Sequence, residues 1–360
     1  KMRRLTRTDK VILALTGVFY TVWGYYLAMA FYRQSVEYNG KYFSDIPAHI
    51  ASGMANDTYS IMGRTLAMIL KVTGNYKLIG IFLAVLALLT ILVTWVLMCY
   101  LFPEGDPVIL HVFAILCNIV TAIYLPMFNK YRYLGVQSGN IYHNPTYTGM
   151  KLFAMAALFF YVKNHLTYDK KMPVGDWILF AVSLIFANLI KPNFYVAFTP
   201  AMGIYLLIDL FEHKGKTFPK IFLFGLAVIP AALTLIYQYT SLYPSDGSGG
   251  GIVIDIGYSI MRRCAVPWLA VIQTMALPFW ILLFNLKDLK EDRTYQFSWV
   301  MLLVSFLQYI VFCESGARKN DGNWSWGYCF VIYFIFVVSM VKIYKNFKEG
   351  FRPKWYYIAA

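Results

Sequence analysis

The stretch 44–50 contains two residues whose types and spacing suit proton-transfer chemistry, Asp45 and His49. Side chains at positions i and i+4 share one face of a helix, so the acid and the imidazole would lie together if a helix begins here. Pro47 is compatible only with the first turn of such a helix, which places Asp45 at its N-terminal edge. The plainer alternative is that Asp45 is an ordinary N-cap and His49 a surface residue.

A candidate for binding an anionic group is Lys191, which lies between two short apolar runs and directly before Pro192. The proline interrupts the helical pattern, so the ammonium group is predicted to lie below the surface of a membrane, where ionisable side chains are costly and commonly functional. Asn193 follows in the same stretch and is predicted to contact the same ligand. The alternative is a lysine that snorkels to the membrane surface.

Five further polar residues lie in loops that are predicted, as argued below, to be on the same side of the membrane as Asp45 and Lys191. His143, Asn144, Arg318, Lys319 and Asn323 are predicted to contact a substrate or its phosphate. Several of them have an ordinary alternative: Asn144 before a proline can cap a helix, and exposed basic residues usually do nothing specific.

The composition identifies the class of protein that must position these residues. Of the 360 residues, 59% are hydrophobic and 14% are charged, and the mean hydropathy is +0.55. Such values are typical of a polytopic membrane protein and not of a soluble domain. The net charge of +14 therefore does not indicate nucleic acid, because basic residues in membrane proteins mostly mark the cytoplasmic side and its anionic lipids.

The apolar runs predict an all-α fold, a polytopic transmembrane helical bundle of about ten spans. One integral membrane domain is predicted over 1–360, with no separate soluble domain. The expected spans are 11–31, 78–102, 108–128, 147–162, 177–190, 194–211, 221–239, 266–286, 297–313 and 327–345. The fifth and sixth are short and could form a broken pair that does not fully cross.

Lys and Arg crowd into short segments that include both chain ends, so the positive-inside rule places the N- and C-termini in the cytoplasm. The loops that carry Asp45, His143, Lys191 and Arg318 then face outside. Function concentrates in loops held by a rigid scaffold, so the active site is expected on the outer face.

The first outer loop, about 32–77, contains a second kind of element. Apolar residues share one helical stripe from 59 to 70, which predicts a helix that lies in the membrane interface. The loop is therefore predicted to form two juxtamembrane helices over a cavity, with Asp45 at the start of the first. The stretch 252–261 also looks amphipathic, so Arg262 and Arg263 are interpreted as headgroup anchors, and 245–251 is interpreted as a flexible loop over the cavity. Among the five cysteines, a Cys313–Cys329 pair stays an open alternative to free thiols.

The chain resembles the GT-C superfamily of glycosyltransferases, which carry an acid in the first outer loop followed by juxtamembrane helices. The segments 191–194 (KPNF) and 322–328 (GNWSWGY) also look like elements of bacterial GT-C-like proteins. The resemblance implies transfer of a sugar from a polyprenyl-phosphate carrier to a glycan or lipid acceptor at the outer face of a bacterial plasma membrane. Many members carry two acids in the first loop, whereas this chain has Asp45 with His49.

This chemistry needs a carboxylate to take the proton of the acceptor hydroxyl, and cations to stabilise the departing phosphate. Asp45 is the predicted base, with His49 orienting it or the acceptor, and Lys191 is the predicted phosphate ligand. No metal motif occurs, so metal-independent catalysis without a cofactor is expected, with the lipid-linked sugar as substrate. The alternatives are a secondary transporter or flippase, and a membrane polysaccharide polymerase or ligase.

Overall fold

The computed structural model describes residues 6–36, 41–132, 135–166, 172–243, 250–350 and 352–360, and α-helices make up most of this part of the chain. The helices are α1 (Arg7–Val36), α2 (Ile46–Met54), α3 (Ile61–Thr73), α4 (Tyr76–Leu101), α5 (Pro107–Ile119), α6 (Pro145–Leu166), α7 (Val174–Ile190), α8 (Asn193–Glu212), α9 (Phe218–Leu242), α10 (Tyr258–Met261), α11 (Pro267–Phe284), α12 (Asp288–Glu291), α13 (Arg293–Val311), α14 (Ser325–Lys348) and α15 (Lys354–Ala359).

The predicted all-α polytopic bundle is confirmed, and every predicted apolar run contains a helix. Within the part of the chain that the structure describes, seven helices are long and apolar enough to cross a membrane, namely α1, α4, α8, α9, α11, α13 and α14. The apolar helices α5 and α7 have 13 and 17 residues, fewer than the roughly 20 that a perpendicular crossing needs. The shortness predicted for the fifth and sixth runs therefore applies to α7 and not to α8, which has 20 residues.

The third predicted run, 108–128, was too long, because α5 ends at Ile119. Two side chains from the segment before α6 donate hydrogen bonds to backbone carbonyl groups at this helix end. The Asn140 amide donates to the Cys117 and Val120 carbonyls, and the Tyr142 hydroxyl donates to the Asn118 carbonyl at 2.6 Å. The last carbonyls of a helix have no partner within it, so these contacts stabilise the early ending.

A buried lysine in α6, Lys151, connects the end of α5, the segment before α6 and α14. Lys151 Nζ donates to the Asn140 side chain at 2.9 Å, the Gly139 carbonyl at 3.1 Å and the Asn118 side chain at 3.4 Å. It also lies 3.5 Å from the centre of the Tyr333 ring on α14. These partners provide the hydrogen bonds that a buried ammonium group requires.

The segment predicted to form the first outer loop folds into two short helices, α2 and α3, as the sequence predicts. The 13-residue α3 buries Met62, Leu66 and neighbouring small residues, and Ser60 caps its N-terminus through a hydrogen bond from the Met62 amide. It is too short to cross a bilayer. A Cβ on Gly53 of α2 would lie 2.2 Å from the Gly63 carbonyl oxygen of α3, so the two helices touch through glycine.

The interpretation of 252–261 as an amphipathic interfacial helix was wrong. Strand β1 (Ile252–Ile254) pairs antiparallel with strand β2 (Phe312–Glu314), and only the four residues of α10 in this stretch are α-helical. Strand β2 also ends the ninth predicted run, because α13 stops at Val311 and a 3₁₀ helix (Gly316–Asn320) follows. Residues 245–249 of the predicted flexible loop lie outside the described residues. Cys313 and Cys329 are both free thiols.

Candidate functional site

The ends of several helices enclose a cavity of about 850 Å³ on one side of the bundle. Seven of the nine residues predicted from sequence line it: Asp45, His49, His143, Asn144, Lys191, Arg318 and Asn323. They come from five separate parts of the chain: the start of α2, the start of α6, the α7–α8 junction, the 3₁₀ helix and the approach to α14. Helix ends leave backbone groups and polar side chains facing outward, which suits them to line a polar cavity.

Asp45 occupies the N-cap position of α2, but its side chain makes no capping hydrogen bond. Its Oδ2 instead accepts a hydrogen bond from Asn144 Nδ2 at 2.6 Å, and its backbone amide donates to the His143 carbonyl at 2.9 Å. Ser44 Oγ accepts from the Ile46 amide and so serves the helix start. The carboxylate is therefore directed toward the residues before α6 and into the cavity.

A directional chain of hydrogen bonds connects Asp45 to Lys191. Lys191 Nζ donates to Thr146 Oγ1 at 3.2 Å, and this hydroxyl donates to Asn144 Oδ1 at 2.6 Å. The Tyr147 amide also donates to Asn144 Oδ1, at 2.8 Å, so Asn144 caps α6 while its amide nitrogen faces Asp45. The capping interpretation of Asn144 is thus confirmed, and the same geometry places this side chain against Asp45.

Lys191 is buried, with 4% of its surface exposed. Nζ lies 4.5 Å from the centre of the Trp326 ring, a favourable place for a cation. Burial lowers the pKa of Lys191 to about 8, and the nearby Asp45 carboxylate opposes this effect. Lys191 is therefore a buried cation that remains mostly protonated at neutral pH.

The two histidines of the cavity are neutral at pH 7. Burial, with a further contribution from the Lys191 charge, lowers the pKa of His49 to about 4. Burial likewise lowers the pKa of His143. A neutral imidazole can both donate and accept a hydrogen bond, so these side chains suit contacts with hydroxyl groups rather than with phosphate.

Glu314 accepts hydrogen bonds from three residues near the end of α9 and around the cavity, although the sequence analysis did not select it. This buried carboxylate accepts hydrogen bonds from Tyr243, from Asn323 and, at 3.0 Å, from Arg318 Nε. Asn193 Nδ2 donates to the Asn323 carbonyl at 2.7 Å and so continues the network from α8. The Glu314 carboxylate thereby balances the charge of Arg318, whose side chain lines the cavity.

Lys319 is not brought to the cavity. Its ammonium group pairs with Asp255 at 3.0 Å and lies 4.4 Å from the centre of the Tyr258 ring, on a partly exposed surface. Exposed ion pairs of this kind contribute little to stability.

A smaller cavity of about 100 Å³ adjoins the first, and α8 and α9 contribute six of the residues that line it. The two cavities share Tyr59, Leu242, Arg318 and Asn323 in their walls. The remaining lining is largely apolar. Asn193 lines this second cavity and not the larger one.

The nearest approach to a metal-ligand cluster in the described residues is Asp209, Glu212 and His213 at the end of α8. Asp209 pairs there with Arg293 at 2.9 Å, and the cluster lies at the end of α8 opposite to Asn193. Because Arg293 already balances the buried carboxylate, the arrangement serves as an ion-pair network.

Comparisons with protein-family models, with curated proteins and with solved structures found no match for this chain. What the arrangement can do chemically therefore follows from the cavity itself. Its lining includes three carboxylates, four cations and two neutral imidazoles, and a largely apolar cavity adjoins it. Such a set can accept a proton from a hydroxyl group and hold an anionic group that carries an apolar chain.

Proposed function

We propose that this protein is a membrane glycosyltransferase that transfers a sugar from a polyprenyl-phosphate carrier to a glycan or lipid acceptor. The observation that carries the proposal is the cavity that brings Asp45 together with Lys191 and Arg318. The resemblance of the first outer loop to the GT-C superfamily supports the same function. The site then faces the outer side of a bacterial plasma membrane, with both chain ends in the cytoplasm.

In the proposed reaction, Asp45 takes the proton of the acceptor hydroxyl as its oxygen attacks the anomeric carbon of the sugar. The bond between that carbon and the phosphate oxygen breaks, and the phosphate leaves with the electron pair. Lys191 and Arg318 stabilise the negative charge that develops on it. Asn144 holds one carboxylate oxygen of Asp45, which leaves the other for the hydroxyl group.

The adjoining apolar cavity supports a lipid carrier as donor. It shares Arg318 in its wall with the polar cavity, and Val196 and Leu235 line its interior. A phosphate bound at Arg318 would therefore allow the attached isoprenoid chain to enter apolar surroundings between α8 and α9. Burial of each CH₂ group there contributes about 0.8 kcal/mol to binding.

The test is the Asp45→Asn variant, assayed for sugar transfer from a polyprenyl-phosphate donor by purified protein in lipid. Asparagine keeps the size of the side chain but cannot accept the proton, so the rate should fall by about 10²–10⁴-fold. Folding should be retained, because the Asp45 side chain makes no capping bond.

The matched control is Asp255→Asn, which removes a carboxylate that lies outside the cavity and pairs with Lys319. It should transfer at the parent rate. A folded Asp45→Asn protein with the parent rate would contradict the mechanism and favour the transporter alternative.

A further inference from the structure

A second buried cation, Arg263, lies in the wall of the large cavity, with 8% of its surface exposed. Its Nη1 donates to the Ser259 carbonyl at 3.1 Å and its Nη2 to the Asn320 carbonyl at 2.6 Å. Both acceptors are neutral backbone groups, so they hold the guanidinium in place without balancing its charge. The interpretation of Arg263 as a headgroup anchor was therefore wrong, whereas the adjacent Arg262 is exposed.

Arg263 differs from Arg318 in its partners. Arg318 pairs with Glu314 at 3.0 Å, whereas no carboxylate of the described residues forms an ion pair with Arg263. Asp321 lines the same cavity and interacts electrostatically with Arg263, but the two side chains form no ion pair. A buried charge is costly unless a partner balances it, and a guanidinium presents five N–H donors, of which two have the carbonyl partners above.

The backbone around Gly322 is shaped to leave room for this side chain. Gly322 has φ +68°, and a Cβ at this position would lie 2.2 Å from Arg263 Nη2. The segment before α14 thus comes into direct contact with the guanidinium.

We propose that Arg263 binds an oxyanion of the ligand, a phosphate or carboxylate group distinct from the phosphate at Lys191. Two buried cations in one cavity, neither with a carboxylate in ion-pair contact among the described residues, favour a ligand with two anionic groups. The identity of that ligand rests on the proposed function. The second anion is then either a second phosphate of the carrier or an acidic group on the transferred sugar.

The first arm of the test measures binding of polyprenyl monophosphate and polyprenyl diphosphate of equal chain length to purified protein in nanodiscs. The parent should bind the diphosphate at least tenfold more tightly, and Arg263→Gln should remove that preference. Arg262→Gln is the matched control, because it removes an adjacent but exposed charge, and it should keep the preference.

The second arm compares polyprenyl-phosphate-linked glucose with the glucuronic acid form. A tenfold preference for the acidic sugar that Arg263→Gln removes would place the second anion on the sugar. A preference that Arg263→Gln removes in either arm supports the proposal, and the arm in which this happens shows whether the second anion is a phosphate or an acidic sugar group. A folded Arg263→Gln protein that matches the parent with all four lipids would overturn it, leaving Arg263 only a clamp for the 320–322 segment.

If Arg263→Gln fails to fold, the same binding preferences are measured with Arg263→Lys. Lysine keeps the charge but lacks the forked donors of arginine, so the preference should fall several-fold without vanishing. An unchanged preference would overturn the proposal. Both arms measure binding, so an Arg263-dependent preference in a protein that transfers no sugar would refute the transferase while the oxyanion site stands.

Discussion

Burial makes the charged form of Lys191 less favourable, so we expect ligand binding to weaken as the pH rises. Its pKa in the folded protein is about 8, below the ordinary lysine value, because burial disfavours the ammonium form. The cation is therefore present below pH 8 and is lost as the pH rises through that value. His49, with a pKa of about 4, does not titrate in the same range.

The affinity for polyprenyl phosphate should accordingly decline as the pH is raised from 7 to 9. Lys191→Arg should remove this decline, because the guanidinium stays charged at all these pH values. Binding measured across the range in both proteins tests this. A parent affinity that stays constant up to pH 9 would show that the charge of Lys191 is not used.

Thr146 is expected to position Lys191. It is fully buried, accepts a hydrogen bond from Lys191 and donates one to Asn144. Thr146→Val keeps the shape but removes the hydroxyl, which leaves a buried ammonium without this acceptor at a cost of about 1–3 kcal/mol. Polyprenyl-phosphate binding should weaken by at least several-fold.

Thr146→Ser is the control, because it retains the hydroxyl and should bind like the parent. Equal loss in the serine and valine variants would show that the hydroxyl group is not responsible and would attribute the effect to altered packing.

Residue types and local spacing predicted part of this site. The Asn144–Pro145 pair indicates a helix start, and a lysine next to a helix break indicates Lys191. The same reasoning could not separate Arg262 from Arg263, nor Arg318 from Lys319. Adjacent residues have the same local chemistry, and only the distant segments that pack on them decide which one faces the cavity.

Among the elements, the contact between α2 and α3 is sensitive to side-chain size. Gly53→Ala would improve the intrinsic helix propensity of α2 by up to about 1 kcal/mol. However, its Cβ would lie 2.2 Å from the Gly63 carbonyl oxygen, so the helices must separate. Overpacking of this kind costs about 1–3 kcal/mol and should outweigh the gain.

We therefore expect Gly53→Ala to lower thermal stability and, by displacing α2, to reduce transfer. Gly203→Ala in α8 is the matched control, because nothing lies within 4 Å of its added Cβ. That variant should be neutral or slightly stabilising. If both variants melt at the same temperature, the glycine contact does not hold the two helices together.

The periodicity of apolar residues predicted helices well, because it reflects which face each helix buries. The amphipathic stripe of α3 is an example. The end of α5 and the β1–β2 pairing were not predictable in this way. Asn140 lies some twenty residues beyond the helix end that it binds, and Ile252 pairs with Glu314 about sixty residues later, so neither contact leaves a local pattern.

At the scale of the whole molecule, the orientation across the membrane is the prediction on which the location of the site depends. On a background without the native cysteines, cysteine at position 321 should react with a membrane-impermeant reagent applied from outside. Cysteine at position 216, in the turn between α8 and α9, should not react. Both positions are exposed, so the difference reports on the side of the membrane. The reverse labelling pattern would place the cavity in the cytoplasm.

The buried Lys151 also has a consequence for how the chain enters the bilayer during synthesis. Its ring partner, Tyr333, is made almost two hundred residues later, in α14. A lysine at the centre of an isolated helix costs about 2.5–3.5 kcal/mol on insertion and less toward the ends, so Lys151, six residues after the start of α6, reduces what this helix gains by leaving the translocon alone. We expect α5 and α6 to be released together, with the ammonium already bound to Asn118 and Asn140. The arrival of α14 would then complete the assembly, and nascent chains that end before it should remain close to the translocon.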